Sequence, residues 1–91
     1  MGQQISVSKL DNTTYEVHVT GGTPTTHIVT VEPDYVKRIG GAGEPEALLR
    51  ASFEFLLARE PNTSILRRFD LPVIARYFPE YEREIARLLK P

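Results

Sequence analysis

The sequence contains no cysteine and no tryptophan. Without cysteine, the chain has no disulfide, no thiolate nucleophile and no cysteine-ligated metal site. It also lacks any apolar run near the roughly 20 residues that a membrane-spanning helix needs. Its first residues, MGQQISVSKL, do not show the basic region and apolar run of a secretory signal. We therefore expect a cytoplasmic protein that does not associate with membranes.

An excess of charge of one sign is missing too, since 11 lysines and arginines oppose 12 acidic residues. Proteins dedicated to nucleic acids usually carry a clear basic excess, so the balance argues against a dedicated polyanion binder. A small asymmetry remains, because residues 61–91 carry six basic and four acidic side chains. It could serve pairing within the chain or between subunits as readily as ligand binding.

The chain has 91 residues, a length typical of one domain. Along it, the spacing of apolar residues changes from the period of strands to that of helices. Alternation of apolar and polar residues predicts strands over residues 4–10, 14–20 and 25–32. Turn-forming residues at 11–13 and 21–24 join them. Residues 1–32 are therefore predicted to form a three-stranded antiparallel meander, which begins an α+β domain.

Helical patterns follow over residues 33–60, as a hairpin-like segment with a short helix at 34–39 and the main helix at 46–59. The main helix is apolar around most of its circumference, so it should be sandwiched between the sheet and either the C-terminal segment or a second subunit. Dimerisation is a common way for so short a chain to gain burial.

Residues 61–91 are predicted to form a C-terminal block of short helices. Asp70 is placed to cap a helix over 71–77, with Phe69 and Ile74 closing a hydrophobic staple. Pro79 begins a last helix, which ends near residue 89. On that helix Glu80–Arg83 and Glu84–Arg87 have the spacing of solvated ion pairs.

The histidines are the first candidates for chemistry. If Val17 and Val19 share a sheet face with Val29 and Val31, then His18 and His27 point to opposite faces. The two histidines meet only if the third strand turns Ile28 inward instead. The first arrangement leaves His18 on a polar face and His27 at the end of the sheet, with no third ligand or suitably spaced acid near them. We therefore predict a non-enzymatic protein with no catalytic residue, no cofactor and no metal site.

A nucleic-acid interpretation rests on the order of elements between residues 26 and 59. A strand, a short helix, a glycine-rich turn at 40–43 and a longer helix follow one another as in ribbon-helix-helix proteins, which lay a paired β-ribbon in the DNA major groove. The outward residues of the strand would be Thr26, Ile28 and Thr30. Readout of the groove usually needs Arg, Lys, Asn or Gln at such positions, so this interpretation is the alternative.

The C-terminal block also interleaves aromatic residues with arginines, which is the composition of protein–protein hot spots. These side chains either complete a thin core or face a partner, and several could do each. The residues predicted to form a partner interface are Arg68, Arg76, Tyr77 and Tyr81.

The stretch from Phe53 to Tyr81 reads FEFLLAREPNTSILRRFDLPVIARYFPEY. It resembles a family of short uncharacterised bacterial proteins with the core FEFLLxREPxxSILxxFDLxxIxxYFPEY. The resemblance implies a bacterial source and carries over no catalytic residue. The wide apolar arc of the main helix and the aromatic C-terminal block, with no catalytic set, lead us to expect a protein–protein interaction module, such as an adaptor or an antitoxin-like regulator. Its partner would be another protein or a second copy in a homodimer, and a DNA-binding regulator is the alternative.

Overall fold

The computed structural model describes residues 4–40 and 44–89. Within those ranges the chain is of the predicted α+β class. The elements in chain order are β1 (Gln4–Lys9), β2 (Thr14–Thr20), β3 (Thr25–Thr30), α1 (Pro33–Gly40), α2 (Pro45–Leu57), β4 (Arg68–Asp70), α3 (Val73–Tyr77) and α4 (Tyr81–Leu89). A 3-10 turn, Asn62–Ser64, lies between α2 and β4. Most of the predicted glycine turn at 40–43 lies outside the described residues.

The antiparallel meander forms where the sequence predicts it, with β1 and β3 ending one and two residues before the predicted bounds. Its first turn is held by side-chain hydrogen bonds and its second by the conformational freedom of glycine. The Asp11 carboxylate accepts hydrogen bonds from the backbone N–H groups of Thr13 and Thr14 at 2.9 and 2.8 Å. These bonds hold the pKa of Asp11 below its usual value. Gly21 and Gly22 adopt φ angles of 103° and 153°, which residues with a Cβ rarely reach.

The sheet contains a fourth strand that the sequence analysis did not predict. β4 lies beside β3 and runs parallel to it, so the sheet is mixed and its order is β1-β2-β3-β4. A parallel neighbour requires a long crossover, which α1 and α2 provide. Asp70 pairs with Thr30 in this strand, and the residue at the N-terminus of α3 is Pro72. The predicted cap at Asp70 is therefore wrong.

One face of the sheet carries the core. The residues on this face are Tyr15, Val17 and Val19 of β2, His27 and Val29 of β3, and Phe69 of β4, all buried. Helix α2 packs against β1 and α4 and buries residues around most of its circumference: Leu48, Leu49, Ala51, Ser52, Phe53, Phe55 and Leu56. The predicted sandwich is therefore completed by the C-terminal segment of the same chain.

Tyr81 fixes α4 in that sandwich. Its side chain is wholly buried, and its hydroxyl lies 2.6 Å from Ser52 Oγ, which itself donates to the Leu48 carbonyl at 2.7 Å. Since the single Ser52 proton is used there, Tyr81 donates to Ser52. Burial raises the pKa of the Tyr81 phenol. Tyr81 was predicted to face a partner, and its burial in the core corrects that placement.

The charged side of α4 follows the predicted pairing in part. The Glu84 carboxylate and the Arg87 guanidinium lie 3.6 Å apart, as the spacing of the two residues predicts. The Glu80 carboxylate, just before α4, instead lies 3.4 Å from the guanidinium of Arg59, two residues after the end of α2. The Arg59 guanidinium also stacks over the Phe55 ring at 3.6 Å. Glu80 thus pairs with Arg59 and not with the predicted Arg83.

The buried Tyr81–Ser52 pair gives a stability prediction. Ser52→Ala leaves the buried Tyr81 hydroxyl without its acceptor, so it should lower the free energy of unfolding by about 1–3 kcal/mol. Tyr81→Phe removes one hydrogen bond and leaves the Ser52 bond to Leu48 intact, so it should cost about 0.5–1.5 kcal/mol. The double variant should lose less than the sum, measured by urea unfolding. Strict additivity would contradict this account.

Candidate functional site

The two histidines lie on opposite faces of the sheet, as predicted. β2 and β3 pair Val17 with His27 and His18 with Thr26. His18 lies on the face without helices, 2.9 Å from the Glu16 carboxylate and 3.0 Å from the Thr26 hydroxyl. His27 is fully buried in the middle of β3, so its predicted position at the sheet end is wrong.

His27 fastens the segment before β4 to the sheet. Its Nδ1 donates to the Leu66 carbonyl at 2.8 Å, because a carbonyl can only accept, and its Nε2 therefore accepts from the Thr25 hydroxyl at 2.9 Å. Asn62 adds bonds to Thr25 Oγ1 at 2.8 Å and to the Thr23 carbonyl at 2.7 Å. Burial, with the charge of Arg67 nearby, lowers the pKa of His27. A neutral imidazole thus bridges two distant parts of the chain.

The fastened segment forms one wall of an apolar groove of about 360 Å³. The end of α2, β4 and α3 supply the other walls. The lining residues are Leu56, Glu60, Ser64, Ile65, Leu66, Phe69, Val73, Ile74, Tyr77 and Phe78. Leu66 and Tyr77 are 48% and 68% exposed, and Glu60 is the one acidic residue of the lining. The groove is large enough for a small ligand or for apolar side chains of a partner.

The predicted interface residues are only partly brought together. Tyr77 lines the groove, whereas Arg68 and Arg76 are exposed but not among its lining residues. Arg68 lies on β4 and Arg76 on α3, the two elements that flank the groove. Leu66 and Val73 also line the groove but were not predicted to do so, since an apolar residue in a helical block is usually assigned to the core.

The ribbon-helix-helix arrangement is not formed. Its ribbon needs a strand with a free edge, but β3 is hydrogen-bonded to β2 on one side and β4 on the other. The outward residues of β3, Thr26, Ile28 and Thr30, share the face without helices with His18. The strand assigned to DNA recognition is therefore an inner strand of the sheet.

The chain matches no protein-family model, no curated protein and no solved structure. Residues 4–40 and 44–89 include no group of three or more histidine or acidic side chains arranged to hold a metal ion. Across the same ranges, no helix is both long and apolar enough to cross a membrane.

The burial of His27 predicts a pH dependence of stability. Its pKa in the folded state is below the ordinary value near 6.5, so the unfolded chain takes up the proton first as pH falls. The free energy of unfolding should therefore be constant above about pH 7.5 and fall below about pH 6.5, by at most about 1.4 kcal/mol per pH unit. Urea unfolding between pH 7.5 and 5.5 measures this slope.

His27→Gln is the matched control, because the amide can still donate to Leu66 and accept from Thr25 but does not titrate. Its slope over the same pH range should be flatter than that of the wild type. His18 is present in both proteins, so the difference in slope isolates His27. Equal slopes would show that His27 does not control the acid response.

Proposed function

We propose that this protein is a small, non-enzymatic, bacterial protein–protein interaction module that works in the cytoplasm as an adaptor or antitoxin-like regulator and self-associates as a homodimer. The observation that carries the proposal is the apolar groove with Leu66 and Tyr77 at its exposed rim. Exposed apolar side chains that adjoin an apolar groove form a contiguous patch, which is typical of an interaction site. The bacterial source rests on the resemblance of residues 53–81.

The composition of the groove supports a protein partner. Tyrosine and arginine dominate hot spots, and Tyr77 lies in the lining while Arg68 and Arg76 stand on the flanking elements. A pocket that is mainly apolar binds an apolar anchor, and exposed charges around it select the partner by attraction. A partner segment with a large apolar side chain between acidic neighbours fits these features.

The roles of the polar side chains support a non-enzymatic protein. His27 and Ser52 are buried and bonded to the main-chain carbonyls of Leu66 and Leu48, so their polar atoms hold the fold together. His18 interacts with Glu16 and Thr26 on the other face of the sheet. These side chains do not converge on one site, and none of them lines the groove.

The test compares partners captured by three forms of the tagged protein from a lysate of the source organism. The Leu66→Ser/Tyr77→Ser variant removes the apolar rim of the groove, while Leu88→Ser is the matched control, because Leu88 is 58% exposed on α4 and does not line the groove. A specific partner should bind the wild type and the control equally. Its affinity for the groove variant should fall by about 30-fold, the loss of a hot spot worth roughly 2 kcal/mol.

The captured protein is then purified and its affinity for each form is measured by calorimetry. All three forms should unfold at similar temperatures, since the substituted side chains are exposed. If no captured protein distinguishes the groove variant from the Leu88→Ser control, the groove is not the interaction site and the proposal fails.

A further inference from the structure

Within residues 4–40 and 44–89, no strand pairs with the outer edge of β4. The Ile28 N–H donates to the Arg67 carbonyl at 2.7 Å, and the Leu71 N–H donates to the Thr30 carbonyl at 2.9 Å. Backbone groups alternate in direction along a strand, so those of Phe69 also face β3. The N–H and C=O groups of Arg68 and Asp70 therefore point away from the sheet, at its edge.

The side chains of this short strand carry opposite charges two residues apart. Arg68 lies beside Ile28 and Asp70 beside Thr30, on the face without helices, while Phe69 is buried on the core face. Arg68 and Asp70 are exposed, and neither forms an ion pair within residues 4–40 and 44–89. Both charges and the backbone edge are thus free to meet another chain.

The sequence Arg68-Phe69-Asp70 is complementary to itself when read in the opposite direction. An antiparallel second copy centred on Phe69 places its Asp70 opposite Arg68 and its Arg68 opposite Asp70. The outward backbone groups then form four N–H···O=C bonds, because both of these pairs are of the hydrogen-bonded type. We propose that β4 is the dimer interface and that two copies join their four-stranded sheets into one continuous sheet across a two-fold axis.

Phe69, at the centre of the strand, adds to this contact. Phe69 of each copy would lie opposite its equivalent at the two-fold axis, and Phe69 also lines the groove. The contact is nevertheless small, because β4 has three residues and stable complexes bury roughly 800 Å² per partner. A reversible dimer with a dissociation constant in the micromolar range is therefore expected.

The opposite edge of the sheet is less suited to this role. The Arg50 guanidinium of α2 donates to the Ile5 carbonyl at 2.6 Å and so occupies part of the outer edge of β1. Lys9 is the only charged residue of that strand, which has no acidic side chain to oppose it. Lysine on an edge strand is a common device against unwanted pairing. The two edges of the sheet thus differ in chemistry, and β4 is the one that fits a second copy.

This inference rests on the homodimer in the proposed function, and charge exchange tests it. Sedimentation velocity of the full chain is measured up to about 500 µM, which detects dissociation constants weaker than 10⁻⁴ M. Arg68→Asp and Asp70→Arg each place like charges opposite one another twice in the dimer. Each variant alone should dimerise at least about tenfold more weakly than the wild type.

Mixing the two single variants gives the decisive result. The heterodimer of Arg68→Asp with Asp70→Arg opposes unlike charges at both positions, so the equimolar mixture should recover dimers, as should the Arg68→Asp/Asp70→Arg double variant alone. Arg76→Asp changes net charge by the same amount as Arg68→Asp, at an exposed position of α3 outside β4, and should dimerise like the wild type. Circular dichroism checks that each variant is folded.

The inference is overturned if the wild type stays monomeric at the highest concentration, if the mixture does not recover dimers, or if Arg76→Asp dissociates as much as Arg68→Asp. The Leu66→Ser/Tyr77→Ser variant leaves Arg68 and Asp70 in place, so partner capture and dimerisation are tested by separate variants. A monomer that still captures its partner would remove the β4 interface alone. A charge-dependent dimer without a groove partner would remove the adaptor proposal alone.

Discussion

The parallel pairing of β4 with β3 is the constraint on which the remaining structure depends. Because the two strands run in the same direction, the chain must return across the sheet between them, and α1 and α2 make that return over one face. That path buries α2 between the sheet and α4. It also leaves β4 as an edge strand and opens the groove between β4, α3 and the end of α2.

Few interactions hold this pairing, since β4 spans only three residues. The buried His27 compensates, because its bond to the Leu66 carbonyl fixes the chain two residues before the strand begins. Asn62 ties the preceding turn to β3 through Thr25. Stability and the candidate site are therefore coupled: the side chains that hold β4 in register also set the position of the wall that carries Leu66.

Local signals made the meander, the main helix and the opposite orientations of the two histidines predictable, because each follows from a hydrophobic period within a short window. β4 carries no such signal. It has one apolar residue, and Asp70 before Leu71 and Pro72 imitates a helix cap, while its true partner lies forty residues away. The placement of Tyr81 could not be decided from the sequence for a related reason. An aromatic residue among charges suits an interface or a core, and only packing against Ser52 decides between them. The groove depends on the position of β4, so the predicted interface included Tyr77 but not the walls around it.

The order in which the chain is synthesised gives the position of α4 a further meaning. The meander is complete at residue 30, yet Val17, Val19 and Val29 are covered only when the helices have been made, and Ile85 of α4 closes the core last. A nascent chain therefore carries an apolar sheet surface until α4 has been made, a state that favours aggregation. The other face of the meander carries mostly serine, threonine and charged side chains, so the apolar surface of the half-built sheet is confined to one face.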